Sequence, residues 1–206
     1  MSKRDLLLFG AGGHSKSIID IIESKNQWKI FGLVGDIFQV KNHILGYEII
    51  GTDEDIARIR EKISVAVIAI GKIGNCDKRR NLINKLEMLD FEFPLVSSSS
   101  SIVSKHASIG EGSTVGHGAI INAAADIGKH CILNTRCLIE HDTKIGDNCH
   151  ISTGAILNGG VKIGNNVFIG SGAIIKENVV IKSGSIIGMG SIVLKNVNSG
   201  VFYNKI

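Results

Sequence analysis

The chain has 206 residues, 44% of them hydrophobic and 20% charged, which allows one large or two modest packed domains and argues against disorder. The formal net charge is only +4, the basic residues are dispersed and no aromatic-plus-basic stacking module appears, so a dedicated nucleic-acid binder is not expected. The opening "MSKRDLLLFGAGG" has too short an apolar run for a signal peptide, and no stretch reaches the roughly 20 apolar residues of a membrane span, so a cytoplasmic protein is expected.

In chain order, the first hundred residues alternate strand and helix patterns. "DLLLFGAGGHSKSIIDII" reads as an apolar strand, a glycine-rich turn, then Ile18, Ile19 and Ile22 at helical spacing. "WKIFGLVGD" predicts a second strand ending at Asp36, and "SVAVIAIGK" a third ending at Gly71. "CDKRRNLINKLEML" predicts a helix and "FEFPLVS" a closing strand. This alternation predicts a small, Rossmann-like parallel α/β domain over residues 1–97, with the serine run 97–101 marking the boundary. In the first turn, Gly10, Gly12 and Gly13 let backbone N–H groups approach a phosphate at a helix start. A dinucleotide fingerprint would place another glycine where Ser15 stands, and the domain offers only half a dinucleotide fold. A single nucleotide is the expected ligand, with an unliganded strand-to-helix turn as the alternative.

From residue 101 the pattern changes to a repeat of six. Stepping from Val103 through Ile109, Val115 and Ile121 to Val193, all sixteen positions are Ile, Leu or Val, with no insertion or deletion. A small or β-branched residue stands two before each, and Gly, Asn or Asp often three before, where a tight corner needs positive φ. Period six cannot keep one face of a helix, but short strands separated by regular corners can, so residues 101–206 are expected to form a parallel β-helix. Cys131, Cys137 and Cys149 take the small inward position and are expected to be reduced structural thiols; metal-type spacing is absent and no metal is expected. In "RCLIEHDTK", His141 lies two beyond Ile139, at an outward strand end where packing does not need it. His106, His117 and His130 are expected to be ordinary surface histidines.

The repeat resembles the hexapeptide of the left-handed β-helix acyltransferases. "GAGGHSK" joined to "NTRCLIEHD" is similar to the bacterial sugar acetyltransferases of the PglD/NeuD type over nearly the whole chain. The resemblance implies a left-handed helix of three hexads per coil, a homotrimer with active sites between subunits, and acetyl-CoA as donor. It implies N-acetylation of a nucleotide-linked 4-amino-4,6-dideoxy sugar for bacterial surface glycans; sialic acid O-acetylation and a non-catalytic trimeric scaffold of a sugar pathway stay open. It assigns His141 as catalytic base and Asp142 as its orienter, with Glu140 the weaker candidate. Asn134 matches an active-site asparagine. His150 and Gly159 match positions near the acetyl-CoA pantetheine or thioester, and Gly12, Gly13, His14, Asp36 and Gly71 match the nucleotide-sugar pocket. The chemistry suits an imidazole, whose pKa near 6.5 matches proton removal from an attacking nucleophile at neutral pH. No cysteine is placed for an acyl-enzyme, so direct transfer in a ternary complex is expected. The resemblance fails after "GV": the family continues with Gly-x-Pro-Ala and this sequence with "GVFYNKI", which sets aside coenzyme contacts made by that segment.

Overall fold

The computed structural model describes residues 3–73 and 77–203. Strands β1 (Arg4–Phe9), β2 (Trp28–Val34), β3 (His43–Ile44), β4 (Tyr47–Gly51) and β5 (Ala66–Ile68) form one sheet in the order β3-β4-β2-β1-β5. All neighbours are parallel except the β3–β4 hairpin. The run Leu6–Phe9 is interior to the sheet and buried on both faces. Leu6 and Leu8 pack with Ile18, Ile19 and Ile22 of helix α1 (Gly13–Lys25). Leu7 and Phe9 pack with Ile56 of α2 (Ile56–Arg60) and with Leu82 and Leu86 of α3 (Asp77–Met88). A continuous apolar strand is what helices on both sheet faces require.

Three parts of this domain differ from the sequence reading. The β3–β4 hairpin and α2 are too short to produce a periodic signal. "FEFPLVS" does not close the α/β sheet: Glu92 makes one bridge to Val65, while Phe91 and Phe93 are buried. Pro94 has no N–H to offer a ladder, and beyond it β6 (Val96–Ser97) leaves to pair with Thr114–Val115 of the repeat region. Cys76, which opens the predicted helix segment, and the last three residues of "GVFYNKI" lie outside the described residues.

The repeat region contains sixteen two-residue strands, from Ile102–Val103 to Ile192–Val193, each ending on the predicted aliphatic residue. Ile120 pairs with Leu138 and Leu138 with Ile156, so pairing advances eighteen residues and one coil holds three hexads. The coils stack three parallel sheets into the left-handed β-helix. The aliphatic residue and the small residue two before it fill the core, the three cysteines among them as free thiols. Burial pushes the Cys137 thiol up to about 12. From Gly112 to Gly190 every residue three before the aliphatic has φ between 53° and 74°. Most are Gly or Asn, but Ala124, His130, Arg136 and Asp142 accept the same conformation, whose cost the coil stacking overrides.

The outward residues of the strands give the three faces different characters. One carries Ile102, Ile120, Leu138, Ile156, Ile174 and Ile192 in register. A second carries Ser108, Asp126, Lys144 and Lys162. On the third, Thr114, Ile132 and His150 are buried where the α/β domain docks.

Candidate active site

The α/β domain contains a pocket of about 250 Å³ lined by all five residues expected there: Gly12, Gly13, His14, Asp36 and Gly71. They come from three loops at the ends of β1, β2 and β5. Gly10 has φ 123°, and a Cβ there would lie 2.9 Å from the Ala69 backbone, so only glycine lets the β1 end pass so close to β5. Gly12 caps α1 without a side-chain hydrogen bond, and a Cβ on Gly12 or Gly13 would meet nothing within 4 Å. The helix start therefore presents backbone donors to open space, the arrangement that holds phosphate. Asp36 caps the short turn Ile37–Gln39, and Gln39 donates to the Ala11 carbonyl at 3.2 Å, tying that turn to the glycine loop.

Gln39, Asp53 and Lys78 line the same pocket and were not singled out in the sequence. Lys78 has its Nζ 4.0 Å from Asp36, and its only sequence signal is a basic residue at the start of a helix after a strand. His14 is largely buried, and its Nε2 makes no hydrogen bond within the protein. Burial, with the neighbouring His150 and Arg79, brings its pKa down to about 4, so the ring is neutral at physiological pH.

His141 and Asp142 form a second centre, on a corner of the β-helix. The His141 ring is exposed and its Nδ1 lies 2.7 Å from Asp142 Oδ2. With the carboxylate ionised, Nδ1–H donates and Nε2 is left with its lone pair. Asp142 sits at the positive-φ corner, φ 60°, which turns the carboxylate back towards its neighbour's ring. The His141 backbone N–H donates to Glu140 at 3.3 Å. The hydrogen bond to the Asp142 carboxylate, with the Glu140 charge behind it, raises the imidazole pKa above its ordinary value. Gly159, one coil on, leaves room for the ring: a Cβ there would lie 2.8 Å from His141 Nε2.

Asn134 and His150 come together at a third place, the junction of the two domains. Asn134 Nδ2 and His150 Nε2 are 3.3 Å apart, and His150 Nδ1 is 2.6 Å from the Lys72 carbonyl. Asn134 and His141 flank opposite ends of the strand Leu138–Ile139, so a single chain holds them apart. Arg79, fully buried, donates to the Ile70 and His130 carbonyls and to Asn148 Oδ1, which fastens the pocket loop to the coils.

Two of the expected surface histidines belong to this junction instead. His130 is buried, with its ring edge-on to Phe93 and Nε2 3.3 Å from Glu87. His117 bridges Asp20 at 2.9 Å and Ser98 at 2.6 Å. Their positions are outward on the prism, but the α/β domain covers them. His106 is exposed. Among the described residues no group of His, Cys, Asp and Glu could hold a metal ion, and no helix is long and apolar enough to cross a membrane.

An α/β domain with a glycine-turn pocket, docked on a six-residue-repeat prism with an exposed His–Asp pair, is the layout of a hexapeptide-repeat transferase, and residues 124–159 and 160–195 match the bacterial transferase hexapeptide family. Residues 5–86 match the PglD N-terminal domain. The chain belongs to the PglD/NeuD-type sugar acetyltransferases of the hexapeptide-repeat superfamily.

No curated protein matches by sequence. Among solved structures, a histidine-to-asparagine variant of perosamine N-acetyltransferase from Caulobacter crescentus, in complex with CoA and GDP-perosamine, is 28% identical with a TM-score of 0.87. The match covers 95% of this chain and 91% of that one. The acetyltransferase domain of PglB from Neisseria gonorrhoeae, in complex with acetyl coenzyme A, is 27% identical with a TM-score of 0.83, covering 95% and 93%. WeeI from Acinetobacter baumannii is 27% identical with a TM-score of 0.83, covering 96% and 95%.

Proposed function

We propose that the protein transfers the acetyl group of acetyl-CoA to the amino group of a nucleotide-linked 4-amino-4,6-dideoxy sugar, for bacterial surface glycan synthesis in the cytoplasm. The observation that carries this reading is the convergence of five pocket residues from three separate loops at a helix start with no side-chain cap, in a chain that also presents a His–Asp pair. The ligands of the Caulobacter relative, CoA and GDP-perosamine, support both substrates.

In the reaction the sugar amine attacks the thioester carbonyl, the N–C bond forms and the C–S bond breaks. His141 Nε2 takes the amine proton, and Asp142 holds the tautomer and stabilises the imidazolium. CoA leaves as the thiolate and is protonated by the imidazolium or water. Asp36 and Gly71 bound the nucleotide-sugar pocket, and the N–H groups of Gly12 and Gly13 receive its phosphates. His14 offers a neutral ring. Gly159 keeps the acetyl end of the coenzyme against His141.

The working unit in this reading is a homotrimer. The Ile102–Ile192 face is an aliphatic ladder partly open to solvent, whereas the face after it is polar. Such a surface calls for a partner. Packing it against a second copy brings the Asn134 corner of one subunit towards the His141 corner of the next, with closed cyclic symmetry.

The test is CoA release by the purified protein with UDP-, GDP- and dTDP-linked 4-amino sugars, with mass spectrometry locating the acetyl on nitrogen. No release with any amino sugar, together with acetylation of a sialic acid hydroxyl, would replace this reading with O-acetylation.

A further inference from the structure

The nucleotide-sugar pocket carries an imbalance of charge. Among the described residues its lining holds two carboxylates, Asp36 and Asp53, and one cation, Lys78. His14 adds no charge, since burial keeps its ring neutral at physiological pH. The neighbouring cations are engaged elsewhere. Lys72 donates to the Asn148 carbonyl at 2.7 Å, and Arg79 to the Ile70 carbonyl at 3.2 Å and the His130 carbonyl at 3.0 Å. The ligand read for this pocket is a doubly negative diphosphate ester. The start of α1 offers it backbone donors and about half a unit of positive charge, too little to balance the bridge beside two carboxylates.

Lys78 is placed to make up the difference. It stands in the first turn of α3 and lines the same pocket as the glycine turn. Its Nζ lies 4.0 Å from Asp36 Oδ1, and both side chains are largely exposed. An exposed ion pair at that distance contributes little, so the ammonium leaves Asp36 at small cost when a doubly charged anion arrives. A lysine head on its flexible stem meets phosphate as a point charge with three donors. Asp36 is then left to accept from hydroxyl or amide donors of the ligand.

We infer that Lys78 is the diphosphate-binding side chain of the nucleotide-sugar pocket, exchanging its resting contact with Asp36 for the phosphates of the ligand. The inference deepens the pocket reading given above and rests on it. It also makes Lys78 a selectivity residue: a nucleoside without phosphates gains nothing from the ammonium, and a nucleoside diphosphate does.

Titration calorimetry on the whole protein tests it without relying on turnover, with GDP, UDP, dTDP, their three nucleosides and CoA as probes. Lys78→Ala is expected to weaken the diphosphate that the wild type binds at least tenfold. The affinities for the matching nucleoside and for CoA are expected to change less than twofold. Lys78→Arg keeps the charge and is expected to recover most of the loss. Lys78 is exposed, so both variants are expected to fold as the wild type does. The dissociation constant of the diphosphate should rise with salt more steeply in the wild type than in Lys78→Ala, because one charge contact is gone. Where a nucleoside binds too weakly to titrate, the salt slopes decide. Unchanged diphosphate affinity in Lys78→Ala, an equal loss for the nucleoside, a loss confined to CoA, or parallel salt slopes overturns the inference and leaves the pocket reading standing. A wild-type protein that binds none of the three diphosphates overturns the pocket reading itself, and this inference with it.

Discussion

Replacing Gly159 by alanine adds a single methyl group beside the proposed base. The new Cβ would stand 2.8 Å from both Cε1 and Nε2 of His141. Non-bonded carbons settle at about 3.5–4.0 Å, so the imidazole must retreat by roughly 1 Å. Gly159 does not have positive φ, so alanine adds no backbone strain, and the exposed ring is free to yield. The fold should therefore tolerate the change, with the melting temperature moving by no more than about 2 °C, as for ordinary surface substitutions in a protein of this size. Catalysis should not tolerate it. A misplacement of about 1 Å costs on the order of 10²-fold, within the 10²–10⁴-fold that a positioned base supplies. The expected result is a 10- to 100-fold fall in kcat, followed by CoA release with a saturating nucleotide-linked amino sugar, with KM for acetyl-CoA little changed. A variant with wild-type kcat would refute the reasoning; if its KM for acetyl-CoA were raised at the same time, Gly159 would act on the coenzyme alone, with no bearing on the ring.

His141→Ala should lower turnover at least tenfold in the same assay, at the low end of the range for a general base because an amine is a willing nucleophile. Asp142→Asn should move the acidic limb of the kcat/KM profile to lower pH as well as slow the reaction. The base acts unprotonated, so the rate rises with pH through the His141 pKa, and Asp142 holds that pKa above its ordinary value; a limb that stays in place excludes the pairing. Leu138→Glu puts a charge in the middle of the aliphatic ladder and should yield monomers by light scattering, with activity lost because the Asn134 and His141 corners then stay apart; an active monomer rules out the shared site. GDP, UDP or dTDP should raise the melting temperature of the wild type by binding its native state, and Gly13→Val should abolish that shift without disturbing the trimer, since a side chain there meets only open space. Retention of the shift in Gly13→Val would place the phosphates elsewhere.

Much of the molecule is written in local pattern. The period of six determined the strand ends, the inward cysteines and the positive-φ corners, because each coil repeats one backbone geometry and satisfies its hydrogen bonds eighteen residues away. The His141–Asp142 pair was legible for the same reason: adjacent residues on a regular corner meet without help from distant chain. The strand–turn–helix at Gly10–His14 was legible through its glycines, and Asp36 and Gly71 through their places just after strands. Docking of the first domain on the prism was not legible. It draws Lys72, Arg79 and Phe93 onto His150, Asn148 and His130, contacts between residues 37 to 78 positions apart that follow no period. Burial there turns outward histidines into interior ones, whereas Lys78 and Gln39 reach the pocket through the fold of the first domain itself. A repeat constrains what a residue's own coil demands of it; what covers the finished face is decided only when the two domains meet.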